Sequence, residues 1–269
     1  METKAPAVTT GAPGTGPVVS VASAPAGTET LAVDWVQVTG PGVGSLLAAV
    51  ARPSGAGPFP TVLLLHGTHG FAQEYVRLAQ ALAEGGLLAM ASSWFQGSSG
   101  AGVRFVTPIS SPEAPPVPEA SSPEAMRTVD TLVQAARTLS GADPDRIGIF
   151  GHSRGGGAAI NYSLQVGKVQ AIVLNSTGYR SQLVDLSAQV NAPILMLHGT
   201  ADHPDDGGSA FTNVQMARDF EATLRRGQKP VEAVYYEGGR HNSIFTSSSQ
   251  RDDEIQQMLA FFRRHLGKG

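Results

Sequence analysis

The chain of 269 residues contains no cysteine. That absence removes disulfide frameworks, cysteine-ligated zinc, iron–sulfur clusters and any thiol nucleophile. Charge is sparse too: Asp, Glu, Lys and Arg make up 15% of the residues, with Lys+Arg 19 against Asp+Glu 22. A formal net charge of −3 offers no basic face, so no nucleic-acid partner is expected. No run approaches the roughly 18 apolar residues that cross a bilayer, and no membrane partner is expected either. Aromatic residues are scarce at 6%.

Glycine and proline are abundant instead, at 32 and 18 residues. Part of that excess sits in residues 1–28, a stretch of Ala, Pro, Gly, Thr, Val and Ser without periodicity. Such a segment buries too little apolar area to offset its chain entropy, and it reads as a disordered low-complexity tail. Lys4 is its sole basic residue, and prolines and glycines break every candidate apolar core of a secretion signal. The expected location is cytoplasmic, with secretion as the alternative.

Residues 29–269 read as one domain. Residues 31–38 and 46–52 form a candidate antiparallel pair around a Gly-Pro-Gly-Val-Gly turn. Short apolar runs follow at 61–65, 87–92, 146–150, 171–174, 194–197 and 231–236. Their lack of alternation suits parallel strands buried on both faces. Amphipathic helical patterns lie between them at 74–84, 123–139, 155–166, 211–226 and 252–265. The alternation predicts an α/β fold, a doubly wound and mostly parallel sheet with helices on both faces. Ligands of such sheets bind beyond the C-terminal ends of the strands. One long Pro/Ser/Gly-rich loop, 96–122, interrupts the rhythm and overhangs that edge, as a lid or as a plain surface excursion.

The residues just after the strands carry chemistry. Gly151-His152-Ser153-Arg154-Gly155 is Gly-x-Ser-x-Gly between a strand and a helix. Acyl transfer needs a turn that holds the serine Oγ clear of the sheet, with glycines allowing neighbouring backbone to approach. A nucleotide loop fits poorly, because neither the Lys-Ser/Thr ending nor the Gly-x-Gly-x-x-Gly spacing is present. A serine needs a base, oriented by a third group. Asp202 follows the 194–197 strand and His241 follows the 231–236 strand, in the order this turn demands. Asp205 and Asp206 share the Asp202 loop as alternative acids, and His203 could touch a metal but lacks ligand spacing. His152 is read as a packing residue and His265 as a surface one. No cofactor or metal is expected.

A tetrahedral intermediate also needs oxyanion donors. The expected ones are the N–H of Arg154 and that of Thr68 in His66-Gly67-Thr68-His69-Gly70, with His69 as second choice. Candidate substrate contacts are Phe71, Trp94, Phe95 and Tyr179, aromatics near strand ends where a pocket opens. Arg180 and Arg240 could meet a substrate carboxylate or simply face solvent.

These motifs, together with Leu63-Leu64-Leu65-His66-Gly67, Asp145-Arg146-Ile147-Gly148 and Pro193 through Asp202, resemble the α/β-hydrolase superfamily. Within it the chain is similar to the dienelactone hydrolase-like group and its neighbours among small serine esterases and cutinase-type polyester hydrolases. The resemblance spans about 31–266. It implies the α/β-hydrolase fold, a central sheet of about eight strands and a Ser153–His241–Asp202 triad. It departs at the nucleophile, where dienelactone hydrolases resembling this chain use cysteine. The activity implied is cleavage of a small-molecule ester or lactone, or a polyester, through an acyl-enzyme, and it should rise with pH as the histidine deprotonates. The alternatives are an acyltransferase using the same triad and a non-catalytic binding protein. Oligomeric state has no signature.

Overall fold

A computed structural model describes residues 16–97, 105–167 and 169–267. Nine strands form a single sheet: β1 (Val18–Val21), β2 (Asp34–Gly40), β3 (Val43–Ala51), β4 (Phe59–Leu65), β5 (Leu88–Ser92), β6 (Ala142–His152), β7 (Ala171–Asn175), β8 (Ile194–Gly199) and β9 (Val231–Tyr236). Their spatial order is β1-β2-β3-β5-β4-β6-β7-β8-β9. The first three run antiparallel to their neighbours, and β5 through β9 are parallel. The helices are α1 (Gln73–Glu84), α2 (Pro123–Thr138), α3 (Arg154–Gln165), α4 (Ser181–Asp185), α5 (Val214–Arg226), α6 (Ser243–Thr246) and α7 (Ser248–Leu266).

Side-chain alternation divides the core into two layers. Leu63, Leu65, Ile147, Ile149 and Met196 pack against α2, α3 and α5 on one face. Val62, Leu64, Phe150, Val173 and Leu197 pack against α1 and α7 on the other. Central strands β5 and β7 are buried along their whole length, which explains their unbroken apolar runs. Helix α2 shows how sequence places an element: Ser122 Oγ accepts from the Ala125 N–H at 3.2 Å and Pro123 opens the first turn. Its Met126, Val129, Leu132, Val133 and Ala136 then form one apolar stripe on the sheet.

The sheet carries one strand more than expected. Strand β1 lies within the segment read as a disordered tail and pairs antiparallel with β2, Val19 opposite Val38. Val18 and Val21 remain exposed, at 62% and 92%. Backbone pairing, with Val19 alone packed against the core, therefore holds this edge strand, which is why composition concealed it. Residues 1–15 of that segment lie outside the described residues. So do 98–104 of the long loop.

The rest of the long loop is anchored at several points. Ala72 and Pro108 form a β-bridge, Glu74 Oε2 accepts from the Thr107 N–H at 2.8 Å, and Gln96 N–H donates to Pro115 O at 2.7 Å. Among the described residues no helix is long and apolar enough to cross a membrane.

Candidate active site

Strand β6 ends in a turn that no ordinary residue geometry would give. Ser153 caps α3 with φ 52° and ψ −115°, a region that non-glycine residues occupy only under constraint. The two flanking glycines are obligatory. A Cβ on Gly151 would lie 2.3 Å from Gly155 O, and one on Gly155 would lie 2.3 Å from Leu65 O. The serine is thereby pushed out at the C-terminal edge of the parallel strands, at the N-terminus of α3.

The loops after β8 and β9 meet it there. His241 Nε2 lies 3.0 Å from Ser153 Oγ, and His241 Nδ1 lies 2.8 Å from Asp202 Oδ2. His241 and Asp202 are buried, whereas Ser153 is half-buried. Asp205, an alternative acid, is exposed and lies 3.2 Å from His203 instead. The second Asp202 oxygen accepts from Thr212 Oγ1 at 2.7 Å. Thr212 is itself fixed: its hydroxyl accepts from the Ser209 N–H at 2.9 Å, and its carbonyl accepts from His198 Nε2 at 2.6 Å. Sequence reading passed over Thr212, because its short turn at Ala210–Thr212 sits where a helix start was expected.

The turn after β4 runs beside Ser153. Tyr75 Oη accepts from the Gly67 N–H at 2.9 Å and reaches His69 Nε2 at 3.0 Å, so the Gly67 donor is occupied. Thr68 is exposed toward a cavity, and its Oγ1 accepts from Arg154 Nε at 3.2 Å. The His69 ring turns away from the cavity and stacks on Tyr75. The same Arg154 guanidinium donates to Pro118 O at 2.7 Å and so ties the elbow and this turn to the long loop.

A cavity of about 480 Å³ opens beside Ser153. Among the described residues its walls include Thr68, Arg154, Asn161 and Arg180, with Glu119, Ala120 and Ser121 of the long loop on one side. The Arg180 guanidinium sits 4.5 Å above the ring of Phe211, another wall residue. Arg240 is exposed and is not among the wall residues.

The four aromatic candidates are not at this cavity. Phe71, Trp94, Phe95 and Tyr179 are all buried, at 3% exposure or less. Trp94 Nε1 donates to His66 O at 2.9 Å, and Phe95 packs edge-on to the His66 ring at 4.5 Å, so this pair braces the turn from behind. Phe71 packs edge-on to Trp35, and Tyr179 stacks on Phe220 at 4.9 Å. A large aromatic just past a strand end gains more from core burial than from a wet pocket. Among the described residues Phe211, overlooked in the sequence, is the aromatic that lines the cavity.

Burial also sets the ionisation of the surrounding histidines. Desolvation pushes His66 down to about 4 and His152 down to about 3, and His69 and His198 are lowered by the same cause. All four are neutral at pH 7.

The dienelactone hydrolase family model matches residues 46–266. The chain belongs to the dienelactone hydrolase family. It is 27% identical over 238 residues to a protein of a Bradyrhizobium species described as a probable 2-oxo-3-(5-oxofuran-2-ylidene)propanoate lactonase, covering 80% of this chain and 85% of that one. In structure it is similar to a Klebsiella pneumoniae protein described as a dienelactone hydrolase, with TM-score 0.66, 23% identity, and 92% and 99% of the two chains covered. It is also similar to an esterase of Pyrococcus furiosus, with TM-score 0.62, 14% identity, and 92% and 96% covered. The two structural likenesses establish the α/β-hydrolase fold within which this family member is built.

Proposed function

We propose that this dienelactone hydrolase family member is a serine hydrolase that cleaves a carboxylic ester or lactone through an acyl-enzyme on Ser153. The observation that carries the reading is the unbroken line from Ser153 Oγ through His241 to Asp202, at 3.0 and 2.8 Å. Ser153 Oγ attacks the carbonyl carbon, and its proton passes to His241 Nε2. Asp202, anchored by Thr212, holds the Nδ1–H tautomer and stabilises the imidazolium. The carbonyl oxygen gathers negative charge between the N–H groups of Arg154 and Thr68. Arg154 is the first residue of α3, so its N–H has no intrahelical acceptor. His241 then returns the proton to the leaving alkoxide, which departs from an ester and stays tethered in a lactone. Water, deprotonated by His241, attacks the acyl carbon and frees Ser153.

A cavity of about 480 Å³ lies within the ordinary range for small-molecule sites, roughly 300–1,000 Å³. That size favours a small ester or lactone over a polyester groove, and the Bradyrhizobium relative named as a lactonase supports a cyclic substrate. The test is hydrolysis of short-chain nitrophenyl esters and of an unsaturated γ-lactone by the wild type and by Ser153→Ala. Loss of nearly all turnover in the variant is expected. Equal turnover by the two would refute the assignment.

A further inference from the structure

Behind the nucleophile lies a line of buried polar side chains that acyl transfer leaves unused. Glu254 of α7 is fully buried, and one of its oxygens lies 2.7 Å from the Asn175 amide at the end of β7. Its other oxygen accepts from Gln250 Nε2 at 2.8 Å. The far end of the Asn175 amide lies 2.6 Å from His152 Nδ1, and the Asn175 backbone carbonyl accepts from the Ser153 N–H at 2.9 Å. The second nitrogen of His152 lies 3.3 Å from Oδ1 of Asn242, the residue after His241. Asn242 and Asn175 are buried as well. A carboxyl on the last helix is thus connected to the neighbours of both the nucleophile and the base.

Counting donors shows what the line needs. Suppose Glu254 is ionised and His152 neutral. Asn175 then gives its N–H to the carboxylate and accepts from His152 Nδ1, which leaves His152 Nε2 facing Asn242 Oδ1, lone pair against lone pair. Turning the Asn242 amide end for end would remove the clash, and so would one additional proton with Asn242 left as placed. With that proton on Glu254 and the amide of Asn175 turned end for end, the carboxyl donates to Asn175 Oδ1. Asn175 Nδ2 donates to His152 Nδ1, and His152 Nε2–H donates to Asn242 Oδ1. Each contact from Glu254 to Asn242 then has one donor and one acceptor.

Burial favours this neutral arrangement. Desolvation pushes Glu254 up to about 8, and it pushes His152 down to about 3 with help from His241. The ionisable groups facing His152 are His241, Asp202 and His69. Those facing Glu254 are Asp253 and Tyr236, whose hydroxyl donates to Asp253 at 2.8 Å.

We propose that Glu254, Asn175 and His152 share one proton that holds Asn242, and through it positions His241 against Ser153, which makes Glu254 a positioning residue for this site. The inference rests on the serine hydrolase reading. Its test is kcat and KM against pH for the wild type and Glu254→Gln, because glutamine presents a permanent N–H where the protonated carboxyl presents its O–H. Wild-type kcat should fall at least threefold between about pH 7.5 and 9.5 with KM steady, and the Glu254→Gln profile should stay flat over that range. Superimposable profiles, or a wild type that stays flat, would overturn the proposal. A second readout is independent of turnover: histidine ¹⁵N NMR should show His152 passing from the Nε2–H to the Nδ1–H tautomer over that range in the wild type alone. If Ser153→Ala still hydrolysed esters, the hydrolase reading would fall and the tautomer would decide this one. An unchanged wild-type tautomer would overturn it.

Discussion

Thr212 Oγ1 donates to Asp202 Oδ1 at 2.7 Å, leaving Oδ2 of the same carboxylate to His241 Nδ1 at 2.8 Å. Each oxygen of the buried acid therefore has its own donor, and the carboxylate cannot rotate without losing both. Thr212→Val keeps the shape and removes the hydroxyl. A hydrogen bond to a charged group is worth roughly 1.5–3 kcal/mol, so kcat should fall about tenfold or more. Steady-state kinetics on a nitrophenyl ester check this, and an unchanged kcat would show that Asp202 does not depend on Thr212.

Arg154 connects three segments: the elbow through its own backbone, the turn after β4 through Thr68 Oγ1, and the long loop through Pro118 O. Arg154→Met keeps the backbone N–H and much of the side-chain bulk while releasing the other two segments. Misplacement of about 1 Å can cost up to a hundredfold in rate, so kcat/KM should fall by about tenfold. Because the cavity wall at Glu119–Ser121 is also freed, KM should rise as well as kcat fall.

Gly155 has no room for a side chain, since its Cβ would meet Leu65 O at 2.3 Å and Leu65 C at 2.7 Å. Both obstacles are backbone of a central strand and cannot swing aside. Gly155→Ala should destabilise the protein by at least about 3 kcal/mol, measurable as a lowered urea midpoint or a failure to accumulate folded protein.

Glu254 carries a stability cost that grows with pH. Its carboxyl is raised to about 8 in the folded protein by burial, against an ordinary unfolded value near 4.3. Between those two values the folded state holds the proton more tightly than the unfolded state. The contribution to stability is therefore fully present below the lower value and is lost as pH rises through the upper one. Urea unfolding at about pH 5 and about pH 8.5 should show the wild type losing roughly a few kcal/mol relative to Glu254→Gln. A constant difference between the two proteins would contradict the raised value.

Much of this architecture was legible in the sequence, for physical reasons. The runs at 171–174 and 194–197 read as strands because β7 and β8 are buried on both faces and take polar residues only at their C-terminal ends, at Asn175 and His198. Gly151 and Gly155 announced the elbow because no other residue fits. Asp202 and His241 stood out because each lies in the loop after a strand, the buried β8 and the half-buried edge strand β9. What was not legible depends on side chains that meet only after folding. Strand β1 is held mainly by backbone bonds, with Val19 alone of its side chains packed on the core, and Thr212 sits in a turn between elements. Glu254 occupies an apolar stripe of α7, where its partner Asn175 is 79 residues away in the chain. Trp94 and Phe95 misled for the opposite reason, since position past a strand end does not distinguish a pocket lining from the packing that supports a turn.

The central claim is that Ser153 is the nucleophile, and trapping the acyl-enzyme tests it most directly. The protein is mixed with excess nitrophenyl acetate, quenched in acid, and analysed by intact and peptide mass spectrometry alongside the release of nitrophenol. The account predicts a burst close to one equivalent, with a single acetyl group on the peptide carrying Ser153 and neither signal in Ser153→Ala. Sustained turnover with no acyl group on Ser153, or with the acyl group on another residue, would contradict it.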